Sequence, residues 1–295
     1  MLNDRQPFLG GAAPGCRRVP IRIGLVTRTL RVAVGGFGAI GHKVARELDR
    51  GLSGLRLVAV SARDRERAAR RMADFGRPVP VLPLTDLARE ADVIVECAPA
   101  SVFDQVAGPA VEAGRILVPL SVGALLERMD LVERARKTGA RIMVPTGGIV
   151  GLDAVRAVAG GTVEEVRIIT RKPPRALAGA PYLEKAGIDL DAVTEPLQVF
   201  DGNARDAARG FPANVNVAAA LSLAGIGPER TRVEIWADPG VIRNTHRIVV
   251  EAEAARLDMS VEGLPSPDNP RTGQLTPLSV LATLRRLSEP LCVGT

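Results

Sequence analysis

One junction restricts the fold of this chain more than any other. An apolar run over residues 30–34 leads into Gly36-Phe37-Gly38-Ala39-Ile40-Gly41, and a helical pattern over 39–49 follows at once. Glycines at this spacing have separate mechanical duties. One permits a tight turn, one lets backbone approach a pyrophosphate, and one lets helix and strand pack closely. The new helix also aims unpaired N–H groups and the positive end of its dipole at the turn, which suits an anion. Alone such a match is weak; between a strand and a helix, at the head of a strand–helix series, it is specific. That series is present. Apolar runs at 55–60, 79–82, 93–97, 116–120 and 141–144 are interleaved with helical stretches at 64–75, 101–113 and 125–138. Strands apolar on both faces and joined by helices build a parallel sheet covered on both sides.

The period changes after about residue 146. Runs at 163–170, 230–237 and 244–251 read as longer strands, the last two alternating, with helical segments at 153–159 and 214–223. Strands with few crossover helices predict a mixed or antiparallel sheet. The fold class is therefore α/β: a Rossmann-type doubly wound parallel sheet over 31–145, then a second α+β domain with a mixed or antiparallel sheet over 146–268. Within 269–295, a helical tail at 275–287 is expected to return to the first domain. Residues 1–30 are expected to form a loosely ordered extension, in which Arg17, Arg18, Arg22 and Arg28 interrupt any signal-peptide core.

Composition excludes more than it selects. Aromatic residues make up only 3% of the chain, so its cores must be aliphatic. A net charge of +6 and a pI near 9.9 raise the question of nucleic acid. The basic residues are nearly all arginines scattered among acids, however, whereas nucleic-acid binding needs a patch or stripe and, for single strands, stacking aromatics. No apolar run reaches the ~18 residues of a membrane span. Cys16, Cys97 and Cys292 lie far apart without metal-ligand spacing, which fits a reducing cytoplasm and no bound metal. The expected partner is a small molecule, with neither nucleic acid nor membrane.

The coenzyme side has three further segments. Beyond Gly36, Gly38, Ala39, Ile40 and Gly41, the second strand ends Ser61-Ala62-Arg63, where an NAD-specific site would place an Asp or Glu on the ribose hydroxyls. Ser61 and Arg63 suit a 2′-phosphate instead, so NADP use, or use of both NADP and NAD, is expected. Ala98 and Pro99 after the strand at 93–97, and Ser121 after that at 116–120, leave the carboxyl edge where ligands bind in open α/β sheets. They are candidates to line the nicotinamide.

The substrate side shows as polar residues inside apolar patterns. Asn244, His246, Ile248 and Val250 share one strand face by the period of two. That face is apolar at one end and polar at the other, which aims His246 and Asn244 into a cleft. A satisfied core histidine is the competing reading. His42 belongs to the first helix, where an exposed or phosphate-proximal place is expected, so His246 is the better proton-transfer group. Asn214 and Asn216 follow Pro212 and are read as ligand contacts or as ordinary caps. Lys172 ends a strand before Pro173-Pro174 and is a candidate donor to a substrate carboxylate.

Taken together, residues 31 to 287 resemble the L-aspartate dehydrogenase family. The resemblance is carried by Gly36–Gly41, Ser121-Val-Gly-Ala-Leu125, Gly147-Gly-Ile-Val-Gly-Leu-Asp153, Arg171-Lys-Pro-Pro174 and 211–219. It continues through Ala237-Asp-Pro239, Asn244-Thr-His246, Pro265-Ser266 and Asn269-Pro270. It implies a homodimer, assembled through the second domain, that oxidises L-aspartate to iminoaspartate with NAD or NADP, the imine yielding oxaloacetate and ammonia or feeding NAD synthesis. It puts the active-site histidine on His246 and coenzyme contacts on Gly148 and Asn216. The loop Thr146-Gly147-Gly148 stands where Ser-Gly-Ala is usual; Thr146 keeps the hydroxyl, and Thr146, Gly147 and Asn214 are expected at the substrate. Reductases of the homoserine or dihydrodipicolinate type, and a non-catalytic dinucleotide sensor, are the alternatives.

Overall fold

The structure, a computed structural model, describes residues 28–266 and 269–294. The extension expected over 1–30 therefore lies, up to residue 27, outside the described residues. Strands β1 (Leu30–Gly35), β2 (Leu55–Ser61), β3 (Val93–Glu96), β4 (Ile116–Pro119) and β5 (Arg141–Ile142) form a parallel sheet ordered β2-β1-β3-β4-β5. The order reverses between β1 and β3, the kind of switch point at which open α/β sheets bind ligands.

Alternation within the strands feeds two apolar layers. Val32, Val34, Val93, Val95 and Val118 face the helix Ala39–Gly51. Ala33, Ile94 and Leu117 face the other layer, built around Phe103, Val106, Leu125 and Leu131. The helix Leu275–Arg285 returns to the first layer and inserts Val280, Leu281 and Leu284 beside Leu48 and Val32. Burying a Val or Leu side chain contributes about 1.5–3 kcal/mol, so this tail is firmly anchored.

Some elements differ from expectation. The segment 79–82 contributes only one bridge, Val60 to Val81, rather than a strand. Pro78, Pro80 and Pro83 around it lack the N–H donors that a ladder needs. The helix expected over 125–138 is two, Val122–Leu126 and Asp130–Thr138.

The second sheet holds β6 (Val163–Lys172), β7 (Leu197–Asn203), β8 (Thr231–Ala237), β9 (Asn244–Ala252) and β10 (Arg256–Gly263), ordered β10-β9-β6-β8-β7. Only β6 and β8 run parallel, so the sheet is mixed. Val166, Ile168, Val233, Ile235, Ile248 and Val250 share the core with Ala218–Leu221 of the helix Asn216–Ala224. Neither β7 nor β10 is visible in the apolar pattern. The first is interrupted by Asp201 and Gly202, and the second is an edge strand whose residues alternate between exposed and half-buried. A short hairpin, β11 (Pro265–Ser266) with β12 (Asn269–Gly273), leads into the C-terminal helix. Among the described residues no helix is long and apolar enough to cross a membrane.

Candidate active site

The turn after β1 is shaped by what its glycines exclude. Gly36 has φ +102°, and a Cβ there would lie 2.6 Å from the Cys97 carbonyl. A Cβ on Gly41 would lie 1.9 Å from the Gly36 oxygen, whereas one on Gly38 would meet nothing within 4 Å. Two glycines therefore satisfy packing, and the third leaves open space at the start of the helix Ala39–Gly51. That helix has no side-chain cap and no acidic residue in its first turn, so its leading N–H groups are left for a ligand. The cradle fits a pyrophosphate. At the end of β2, Ser61 is buried and Arg63 exposed. Asp64 is turned to another purpose: its carboxylate caps the helix Arg65–Arg71, accepting from Arg67 N at 2.8 Å.

The ends of β3 and β4 are joined by a residue that the sequence did not single out. The Glu96 carboxylate is 0% exposed and accepts from Ala98 N at 2.9 Å, Leu120 N at 3.2 Å and Ser121 N at 2.9 Å. The Ser121 hydroxyl donates to it at 3.0 Å. Ala98 and Ser121 are thereby brought together, while Pro99 is exposed, and none of the three lines the cleft between the two sheets. Desolvation and the adjacent Glu96 carboxylate push the Cys97 thiol well up, which removes it as a nucleophile.

From this edge a cleft opens between the two sheets. Ile40, Thr146, Gly147, Gly148, Lys172, Asn214, Asn216, Asn244 and His246 all line it. Residues from separate parts of the sequence thus converge on one space, with polar side chains set among apolar ones as in small-molecule sites. His246 pairs across the sheet with Thr170, whose hydroxyl is 3.0 Å from Nδ1. That contact orients the ring; Nε2 is a donor toward the cleft if Thr170 donates, and an acceptor if Thr170 accepts. Burial, then the Lys172 cation, lower the His246 pKa to about 3, so the free protein holds a neutral imidazole.

Lys172 lies two residues past Thr170 on the same face and is 5% exposed. Its Nζ donates to Asn214 Oδ1 at 2.9 Å, and burial lowers its pKa to about 8. Asn214 sits in a turn closed by its own N–H on the Phe211 carbonyl at 2.8 Å. Phe211, wholly buried against Tyr182 and Phe200, fixes that turn. Neither asparagine is a cap. Asn216 opens its helix without capping it, and its Oδ1 accepts from Gly123 N at 3.0 Å, tying the second domain to the first. The loop Thr146–Gly148 is held from the other side: Gly147 N donates to Ser279 Oγ of the C-terminal helix at 3.1 Å. The Gly147 N–H is therefore engaged within the protein, so Gly147 borders the cleft through its shape rather than as a donor.

His42 is not at the cleft. It is half-buried, with Nε2 3.2 Å from the Arg71 carbonyl and its ring 5.2 Å, edge-on, from Phe37. Among the described residues no group of His, Cys, Asp or Glu is placed to hold a metal ion.

Comparison with known proteins gives the family. A family model described as "Aspartate dehydrogenase, C-terminal" matches residues 153–287, and one described as "Homoserine dehydrogenase, NAD binding domain" matches residues 36–145. The chain is similar to L-aspartate dehydrogenase 3 of Bordetella bronchiseptica, 53% identical over 90% of this chain and 98% of that one. It is equally similar to the L-aspartate dehydrogenase of Bradyrhizobium diazoefficiens, 53% identical over 90% of this chain and 94% of that one. The fold is shared with a solved aspartate dehydrogenase from Thermotoga maritima, with a TM-score of 0.67 and 24% identity, covering 90% of this chain and 99% of that one. The first domain is thus a nicotinamide-dinucleotide-binding domain, and the chain belongs to the L-aspartate dehydrogenase family.

Proposed function

We propose that this protein oxidises L-aspartate to iminoaspartate, which water converts to oxaloacetate and ammonia, and that it also runs the reverse reductive amination. When bound, a nicotinamide dinucleotide would supply the hydride acceptor for the aspartate α-carbon and, in reverse, the hydride donor. One observation carries the reading: a buried cation, Lys172, and a buried neutral imidazole, His246, face the same cleft beside the carboxyl edge of the coenzyme sheet.

The diacid brings two negative charges into a site that holds a desolvated lysine. Lys172, with Asn244 and the Thr146 hydroxyl, binds and orients the carboxylates, and alignment is the chief source of rate in hydride transfer. Asn214 fixes the Lys172 ammonium from behind. As the α-hydrogen leaves with its electron pair, the amine nitrogen gives up a proton and forms the C=N bond. His246 accepts that proton, or later takes one from the water that adds to the imine carbon before ammonia departs. Gly36, Gly38, Ala39, Ile40 and Gly41 would hold the pyrophosphate end, Ala98, Pro99 and Ser121 the nicotinamide end, and Gly148 and Asn216 would complete the coenzyme contacts.

NADP, or NADP and NAD together, is the coenzyme choice that we propose. Support comes from Ser61 and Arg63 at the ribose position and from Asp64, whose carboxylate is engaged in capping. A two-domain division near residue 146, homodimer assembly through the second domain and a cytoplasmic setting belong to the same proposal. They rest on the change of sheet type, the family resemblance and the widely spaced cysteines. Reductases of the homoserine or dihydrodipicolinate type are not favoured, because relatives more than half identical carry the aspartate dehydrogenase name.

The test is one absorbance assay of the reduced nicotinamide with L-aspartate, homoserine, or oxaloacetate plus ammonia, each with both coenzymes. Turnover with aspartate and with oxaloacetate plus ammonia is expected, at a lower Michaelis constant for NADP or equal constants for the two. Turnover of homoserine alone would refute the substrate, and a strong preference for NAD would refute the coenzyme choice.

A further inference from the structure

Glu96 is the least exposed carboxylate among the described residues, and nothing in the mechanism above uses it. Its four partners are neutral. Oε1 takes Ala98 N and the Ser121 hydroxyl, and Oε2 takes Leu120 N and Ser121 N. A buried carboxylate without a counter-cation is costly, and chains retain one where its charge or its bonds are needed. Burial is the larger influence and raises the Glu96 pKa above the usual carboxylate value; the four bonds oppose it, three of them from backbone N–H groups, which pair only with acceptors and so favour the ionised form.

Place adds to this. Glu96 ends the central strand β3, opposite Gly35 of β1 and Pro119 of β4. Cys97, the next residue, presses its carbonyl against Gly36 of the coenzyme turn. On the other side, Leu120 and Val122 line the cleft, with Ser121 fixed between them by the carboxylate. The two loops that leave the sheet beneath the cleft are thus tied at a single point, and that point is an acid.

We propose that Glu96 is a positioning residue for the nicotinamide end of the coenzyme, locking the loops after β3 and β4 into one floor whose buried negative charge favours the cationic, oxidised ring over the neutral, reduced one. The inference rests on the dinucleotide reading and goes beyond it. It makes the protein itself a determinant of how readily the bound coenzyme gives up a hydride.

Equilibrium binding, without turnover, tests it. Dissociation constants are measured for the oxidised and reduced forms of the better-bound coenzyme and for ADP-ribose, which lacks the nicotinamide, in the parent, Glu96→Gln and Glu96→Asp proteins. Glu96→Gln is expected to shift the oxidised-to-reduced ratio about tenfold toward the reduced form, while ADP-ribose affinity stays within about twofold. Glu96→Asp keeps the charge and is expected to keep the ratio, even if both affinities fall. An unchanged ratio in Glu96→Gln, or a parallel loss of ADP-ribose, overturns the proposal. Should Glu96→Gln not fold, the ratio in Glu96→Asp decides: retention supports the proposal and a shift overturns it. A parent that binds neither coenzyme form refutes the dinucleotide reading as well. A parent that binds both forms but does not turn over aspartate, with the shift present in Glu96→Gln, refutes only the substrate.

Discussion

The two walls of the cleft are made by opposite means. On the coenzyme side the chain offers backbone: a glycine turn, the start of a helix, and two loops tied together by Glu96. On the substrate side it offers side chains. Thr170, Lys172 and His246 stand on adjacent strands of the mixed sheet, buried, with Asn214 and Asn216 reaching in from a turn and a helix start. A backbone cradle tolerates change in most side chains near it but fails where an added Cβ has no room. A wall of buried polar side chains fails at each member, because the partner of a removed group is left unpaired at a cost of about 1–3 kcal/mol.

Substitution can break this contrast. The largest effect is expected for Gly41→Val, since even the first added carbon falls 1.9 Å from the Gly36 oxygen. Coenzyme affinity, read by quenching of the reduced form's fluorescence, should drop at least about a hundredfold. Parent-like affinity would mean that the turn is not the cradle. A smaller effect is expected for Lys172→Met, tested with succinate, a four-carbon diacid without an amine. In the free protein Lys172 is a cation below its pKa of about 8, so succinate should bind well at neutral pH and weaken as the pH rises through that value. Lys172→Met should bind about tenfold less tightly near neutrality and lose that pH dependence. The same group makes a stability test. Its depressed pKa lets the unfolded chain bind more protons between about 8 and the ordinary lysine value of 10.5, so the folded state gains stability as the pH rises across that window. The methionine variant should lack the gain in urea titrations.

The contrast also explains what was legible in advance. Backbone sites leave a mark in sequence because only glycine serves at two of the three turn positions, so their spacing between a strand and a helix pointed to the turn after β1. The side-chain wall showed as polarity out of place, at Asn214, Asn216 and His246, with Lys172 read from its place at a strand end, and the shared face of Asn244 and His246 followed from the period of two. Pairings across the fold were not legible. Nothing near Asn216 in sequence names Gly123 as its partner, nor does anything near Gly147 name Ser279. Glu96 escaped notice because an acid at the end of an apolar run reads as the beginning of a loop; its burial follows from amides twenty-four and twenty-five residues later. The strand expected at 79–82 failed for a local reason, three prolines, that outweighs its valines.

The central claim is that an oriented imidazole works on the diacid without holding the coenzyme, and His246→Ala addresses it most directly. Two quantities are needed from that variant: the coenzyme dissociation constant, and the rate of coenzyme reduction by L-aspartate in a single turnover. The account predicts an affinity within about twofold of the parent and a rate lower by at least about a hundredfold, the scale of a lost proton-transfer group. A parent-like rate, or a loss of affinity that accounts for the whole fall in rate, would contradict it.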